Sequence, residues 1–496
     1  MNYSEKIISL YNRFHHFISK DTNAILFVFF VALIVRFLPE LLVPVYPVGF
    51  ETVAYYAPAL IKPDPVTTNP FLNFNNHIQF ISSHKPLADA FRSGPLYYLL
   101  SWFVSDLTGV DSFLLLKLTG PLLYACLAAS FFVFSKRSLN FKSETAFLAT
   151  FVLVFQIAAL RESTDRFRTE LALVFFFAAL VAFTSKKPKV NWVATPTLAV
   201  LTVLSREYVG LVLILTLAGY AIFEKKDRLK SLATIIPAVV ALFAMFNSVW
   251  LELNYLSPSS PFYVTSYAWA VQDSFAIFIM CYALILPFVL KGFSKIKLLN
   301  PMVAFLMIGS FGFILLPWFA IPGYNRWILL LVYPFCIYTA LGLEKINFRK
   351  HKKKILAVIL FIFSIFGIGY ATATFSYIGI IPNSYVATNM LQSSIQWDQI
   401  NDTQNAIIWL KANATFDSAL LAEERFYGWS MIDLEPQNDN INIIAYGSNS
   451  PPDPALQQAI QVNAKQIYLI WYTNSSIPNF QIVHAEGDIA ILRYTT

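Results

Sequence analysis

The sequence predicts an α-helical polytopic membrane protein with a C-terminal extracytoplasmic α/β domain. Three observations predict it. First, 57% of the 496 residues are hydrophobic and only 13% are charged, against roughly a quarter charged in soluble domains. With a mean hydropathy of +0.56, this excludes a disordered chain and a water-soluble globule. Second, about eleven apolar runs, each near the ~20 residues that a spanning helix needs, cross the chain as far as residue 377. Third, beyond that point short strand-like and helix-like runs alternate. The formal charge of +7 does not point to nucleic acid, because most Lys and Arg lie in short loops beside apolar runs, where a membrane accounts for them.

The elements follow in order. Residues 1–23 carry Ile7, Leu10, Tyr11, Phe14, Phe17 and Ile18 at helical spacing with Lys6, Arg13 and Lys20 opposite. That predicts an amphipathic helix on the cytoplasmic membrane surface, the alternative being a frayed polar tail. No secretory signal peptide is evident. Spans are predicted near 24–43, 113–134, 144–160, 169–185, 191–205, 208–223, 231–251, 273–290, 299–318, 326–343 and 355–377, which makes 24–377 one transmembrane domain. The run Pro95 to Leu107 is a further candidate. Counting it would put Lys136-Arg137, the 186–189 cluster and the 349–354 cluster outside, against the positive-inside rule. It is therefore assigned as an interfacial or re-entrant helix within a large outer loop, 44–111, that also holds Glu51, His77, His84 and Arg92. The amino terminus is then cytoplasmic and the tail outside.

In the tail, 378–496, a helix is expected over Thr403 to Asn413, strands over Ser418 to Ala422 and Asn442 to Ala445, a helix near Pro454 to Val462, a strand Gln466 to Tyr472 and a hairpin through Gln481 to Tyr494. About 119 residues suffice for a separate core. The glycosylation acceptor patterns at Asn401, Asn413 and Asn474 agree with an outside location but arise often by chance. Cys126, Cys281 and Cys336 fall within apolar runs, as buried small side chains rather than a disulfide set or metal site.

Candidate chemistry gathers on the predicted outer side. Glu51 lies in YPVGFETVAYYAP, directly after the first span, flanked by Tyr55 and Tyr56. A partly desolvated carboxylate there suits a general base toward an acceptor hydroxyl or amine; the alternative is an interfacial Glu paired with a neighbouring Arg. The connection LRESTDRFRTEL holds six charged residues within 161–170. Asp165 and Glu162 are candidates for a second acid that orients the acceptor or holds a divalent cation such as Mg or Mn, or else the segment is a solvated, self-paired turn. Arg206-Glu207 interrupts an apolar run, and Arg326 follows Tyr324-Asn325 on the same side. Charges there are costly unless paired or used, and the guanidinium fork suits phosphate oxygens. No Gly-rich phosphate loop, zinc spacing or HExxH pair is present. His77 and His84 read as surface residues.

This pattern resembles the GT-C glycosyltransferases, polytopic enzymes that take a sugar from a polyprenyl-phosphate donor, in particular the protein mannosyltransferase and aminoarabinose transferase group. The resemblance covers a first span, an outer loop opening with an acid, many spans and an outer C-terminal domain. Glu51 matches the loop-one acid that the family uses as catalytic base, though Phe50 stands where many relatives carry a second acid. Gly94-Pro95-Leu96-Tyr97-Tyr98 resembles the segment that begins the loop's membrane-hugging helix, with Gly94 in place of a frequent His. Arg161 to Arg168 resembles the second outer loop. Arg206-Glu207 and Arg326-Trp327 resemble positions facing the donor phosphate. Of a WWDYG-type motif, only Tyr427-Gly428-Trp429 is present, which favours transfer of a single lipid-linked sugar.

The resemblance implies a membrane-embedded transferase with catalytic Glu51, Asp165 and Glu162. It implies a donor phosphate held by Arg206, Arg326 and Arg161, and substrate contacts from Tyr55, Tyr56, Glu207 and Tyr324. Its partners would be a polyprenyl-phosphate sugar lipid, an acceptor protein, lipid or glycan, and the bilayer. No nucleotide or redox cofactor is required, and a divalent cation is optional. The rivals are a lipid or solute transporter or flippase with an outer accessory domain, and a non-catalytic scaffold.

Overall fold

The computed structural model describes residues 20–43, 45–60, 70–83, 85–187, 189–246, 267–316, 324–346, 352–373, 390, 392–434, 441–447 and 451–495. The amphipathic helix expected over 1–23, His84 and a boundary near residue 378 lie outside these residues, apart from the last turn of the first. The chain divides into two compact units. One gathers Met1–Leu42, Arg92–Tyr97 and Leu118–Met390; the other gathers Val43–Phe91, Tyr98–Lys117 and Leu391–Thr496.

The first unit is helical. Its opening helix, Asp21–Leu42, buries Ala24, Val28, Ala32, Val35, Arg36 and Glu40 on one stripe, while Leu26, Phe30, Ile34 and Leu41 are exposed on the other. A helix that is apolar on both its packed and its outward face is built for a bilayer, with small residues on the packed side. Of the eleven predicted spans, six helices are long and apolar enough to cross a membrane among the described residues: Asp21–Leu42, Ser112–Arg137, Phe167–Thr184, Lys225–Met245, Tyr324–Glu344 and Lys354–Ala371. The count rises to eight if two bent pairs each form one span, Ser143–Val154 with Ile157–Asp165 (62°) and Ala270–Tyr282 with Leu286–Gly292 (79°). The apolar helices Val190–Ser205, Glu207–Phe223 and Leu299–Leu315 are shorter. Pro95–Thr108 is helical and 14 residues long.

Several interruptions fall on polar or charged residues within apolar sequence. Helix Ile157–Asp165 starts after Gln156 and ends at Arg166, where Phe167–Thr184 begins. Thr195–Ser205 stops at Arg206, which is extended (φ −162°, ψ 117°), and Glu207–Phe223 starts there. The freed carbonyls at the first break find a cation: Arg36 Nε donates to Ser163 O (2.9 Å) and Nη2 to Thr164 O (3.0 Å), while Nη1 pairs with Glu40 at 2.9 Å. A guanidinium at a helix carboxyl end satisfies orphan carbonyls and complements the helix dipole.

The second unit holds a five-stranded sheet in the order β2-β1-β3-β5-β4: β1 Ser418–Glu423, β2 Ile441–Tyr446, β3 Gln466–Tyr472, β4 Phe480–Glu486 and β5 Ile489–Tyr494. β2, β1 and β3 are parallel, and β5 and β4 complete the sheet antiparallel. Helices Ile400–Asn413, Glu424–Leu434 and Asp453–Gln461 alternate with the strands. One face buries Ala419, Leu421, Ile444, Leu469 and Leu492 against Ala455, Leu456 and Ala459 of the Asp453–Gln461 helix. Each strand and helix expected in the tail is present; the helix Glu424–Leu434 is an addition.

Candidate functional site

In the first unit the segment 161–170 is not an exposed outer connection. Arg161, Glu162, Asp165, Arg166, Arg168 and Glu170 are all buried, at 0–4% exposure, because the chain turns from one helix directly into the next. The pairing is internal. Arg161 Nη1 binds Asp165, and Arg166 Nη1 binds Glu162 at 2.5 Å, both at helical i,i+4 spacing. The self-paired reading therefore holds, the solvated one does not. Arg161, expected at the donor phosphate, and Asp165 and Glu162, expected as second acids, all serve these two pairs.

A second group of cations converges beside them. Arg168 Nη1 donates to Ser93 Oγ at 2.8 Å, and Arg206 Nη1 donates to the same oxygen at 2.7 Å. Gly94 makes this approach feasible. A Cβ there would stand 2.3 Å from Ser205 O and 3.0 Å from Arg168 Cδ, so the Ser93-Gly94 backbone lies against the break at Arg206. Arg206 Nε has no hydrogen-bond partner among the described residues, and Glu207 Oε2 stands off at 3.9 Å. Tyr208 presents its ring to both Arg206 (5.2 Å) and Arg326 (5.8 Å), and its hydroxyl meets Thr169 at 2.8 Å. Arg326 is also within electrostatic range of Glu162. Tyr324 donates its hydroxyl to Asp273 Oδ2 at 2.7 Å.

Thus Glu162, Asp165, Arg161, Arg206, Glu207, Tyr324 and Arg326 belong to the first unit, and sequence reasoning missed Ser93, Arg168, Tyr208 and Asp273. Arg168 carried a signal, as a third arginine in one short charged segment. Ser93 carried none except its place before Gly94.

Glu51, Tyr55 and Tyr56 belong to the second unit. Glu51 is 8% exposed, immediately before a π-helical turn, Thr52–Tyr56, and the Tyr56 hydroxyl lies 3.5 Å from its Oε2. Neighbours hold that turn closely. Lys117 Nζ donates to the carbonyls of Val43 and Tyr46, Trp102 Nε1 to Ala59 O at 2.9 Å, and the Tyr46 ring meets Trp429 edge-on at 5.6 Å. A Cβ on Gly428 would stand 2.7 Å from Ala54 Cα and from Val53 O, so only glycine lets helix Glu424–Leu434 seat against the turn. His77, expected at the surface, is instead 2% exposed and stacked on Trp102 at 4.9 Å, because three rings (with Phe91) make a flat apolar stack.

Among the described residues no group of three or more His, Cys, Asp or Glu is placed to hold a metal, and Glu162 and Asp165 each carry an arginine.

No family model and no curated relative matches the chain. Among solved structures it is similar to the mycobacterial arabinofuranosyltransferase AftD, determined by cryo-EM, with a TM-score of 0.48 and 11% identity. The match covers 95% of this chain and 41% of that one.

Proposed function

We propose that the protein is a membrane glycosyltransferase that moves a sugar from a polyprenyl-phosphate donor to an acceptor on the extracytoplasmic face. The observation that carries this reading is the pair of buried guanidiniums on Ser93. Arg168 and Arg206 both donate to that one hydroxyl, and the Nε of Arg206 makes no hydrogen bond among the described residues, its nearest anion being Glu207 Oε2 at 3.9 Å. Two guanidiniums that converge on one point present forked donors of the kind that fits a phosphate. Arg326, across the Tyr208 ring, extends the cationic surface. Arg161 and Arg166, already bound to carboxylates, hold the frame.

In the reaction the acceptor hydroxyl attacks the anomeric carbon and loses its proton to the Glu51 carboxylate. The bond from that carbon to the phosphate oxygen breaks, and both its electrons leave with the lipid phosphate, whose negative charge Arg168 and Arg206 stabilise. The configuration inverts. Tyr56, beside Oε2, orients the carboxylate; Tyr55 lines the substrate, and Tyr324 and Glu207 flank the donor. The donor's phosphate linkage supplies the driving force, so no nucleotide is consumed.

The test uses the full chain in nanodiscs with polyprenyl phosphates bearing mannose, glucose, galactose or arabinose. Sugar release or transfer from at least one is expected, reduced about 10²–10⁴-fold in Glu51→Gln. A folded Glu51→Gln protein with full transfer would sink the base assignment. Movement of the intact lipid between leaflets with no cleavage would assign a flippase instead.

A further inference from the structure

We propose that the carboxyl end of the small sheet is a carbohydrate-binding site, built from Glu423, Arg425, Tyr446, Trp471 and Tyr472. The site stands on its own observations and does not depend on the transfer reading.

The topology marks the place. From β1 the chain passes to β2 on one side and then returns to β3 on the other. In open α/β sheets the crevice outside the carboxyl ends of such diverging strands is where ligands bind. Glu423 ends β1 and pairs with Tyr446 at the end of β2. Trp471 lies two residues past the Leu421–Leu469 pair, as Glu423 does on β1. By strand alternation, Tyr446, Glu423 and Trp471 form one row on one face at the ends of three parallel strands. Tyr446 belongs to the apolar core of that face and Trp471 packs against it, so the group in the row that apolar packing leaves unexplained is the Glu423 carboxylate.

The side chains are organised around Arg425. Its Nε and Nη2 donate to the two oxygens of the fully buried Glu423 carboxylate. Its guanidinium lies 5.6 Å from the Trp471 ring centroid and 5.5 Å from that of Tyr472. The Arg425 side chain keeps 35% of its surface exposed, and both aromatics are half-buried. Behind them the Tyr446 Oη is buried with no hydrogen-bond partner among the described residues. Burial and the neighbouring Glu423 carboxylate push the Tyr446 phenol up, so it remains a donor at neutral pH.

This chemistry selects a neutral polyol over an anion. Glu423 already neutralises Arg425, and a phosphate would approach a carboxylate as well as a guanidinium. A sugar brings no charge. Its C–H face stacks on an aromatic ring while its hydroxyls meet the remaining N–H groups of a guanidinium whose orientation is fixed in advance, which lowers the cost of ordering on binding.

Saturation-transfer NMR on the full chain in nanodiscs, free of sugar-headed detergent, tests the site with the methyl glycosides of mannose, glucose, galactose and arabinose. Saturation of at least one is expected, falling at least about fivefold in Trp471→Ala and in Arg425→Ala and persisting in Glu51→Gln. Absence of transfer to all four overturns the proposal, as does transfer unchanged in both tail variants or abolished by inorganic phosphate. Should either tail variant melt early, Tyr446→Phe, which deletes a single oxygen, carries the test. Weakened transfer supports the site and unchanged transfer overturns it. Because Glu51→Gln is measured alongside, failure here leaves the transfer reading untouched, and failure there leaves this one.

Discussion

Arg206 occupies a position where hydropathy alone would continue a helix, and it stops one. Its backbone is extended, its Nη1 is spent on Ser93, and its Nε makes no hydrogen bond among the described residues, with Glu207 Oε2 at 3.9 Å. Lysine would keep the charge and lose the fork. Arg206→Lys should therefore fold like the parent while kcat/KM for transfer falls about 10–100-fold, read from initial rates beside a thermal melt. Parental rates would remove Arg206 from the donor site. Asp433 gives a second prediction at this scale. Burial pushes its carboxyl up to about 6, against the opposing pull of Lys411, from an ordinary value near 3.9. The folded state then holds a proton that the unfolded state has released between about pH 4 and 6. Stability is fully present below pH 4 and declines as pH rises through 6, by on the order of 2 kcal/mol. Asp433→Asn should flatten that slope in melts taken from pH 4 to 7; an unchanged slope would assign it to another group.

At the scale of elements, strand alternation in the tail and the long apolar runs were readable because both depend on local period and length. The bends were not. A hydropathy window registers that 144–160 is apolar and is blind to the 62° turn at Gln156. Likewise it cannot tell that six charges within 161–170 are buried where one helix passes into the next at Arg166, since Arg36 and Ser93, which bond to that segment, come from distant sequence. The helix Glu424–Leu434 was hidden by Gly428, which lowers helix propensity. Its reason is tertiary, in the backbone of Val53 and Ala54. This makes Gly428→Ala informative, because two effects oppose. Propensity favours alanine by about 1 kcal/mol, whereas a Cβ 2.7 Å from backbone atoms has nothing flexible to displace and should cost about 1–3 kcal/mol. The clash should win, lowering the melting temperature and loosening the turn that carries Glu51. A stabilised variant would show that the turn is not seated there.

For the molecule as a whole, several helices carry the same polarity. Phe167–Thr184 begins beside Arg168 and Glu170 and is followed by Lys186-Lys187. Glu207–Phe223 begins at Glu207 and is followed by Lys225-Lys226. Tyr324–Glu344 begins near Arg326 and ends beside Lys345. Arginines, with buried acids beside the first two, mark one end of each helix and exposed lysines the other, as expected if the lysines face the cytoplasm and the arginines face the opposite side. The tail would share that second side. The prediction is tested by single cysteines in a background with Cys126, Cys281 and Cys336 replaced by alanine. Asn474→Cys, on the exposed tail, should react with a membrane-impermeant maleimide in intact cells, and Lys187→Cys only after permeabilisation. The opposite pattern would place the tail in the cytoplasm and exclude an extracytoplasmic transferase. Labelling of both from outside would mean that the lysine clusters do not define the cytoplasmic side, and the polarity of these helices would need another cause.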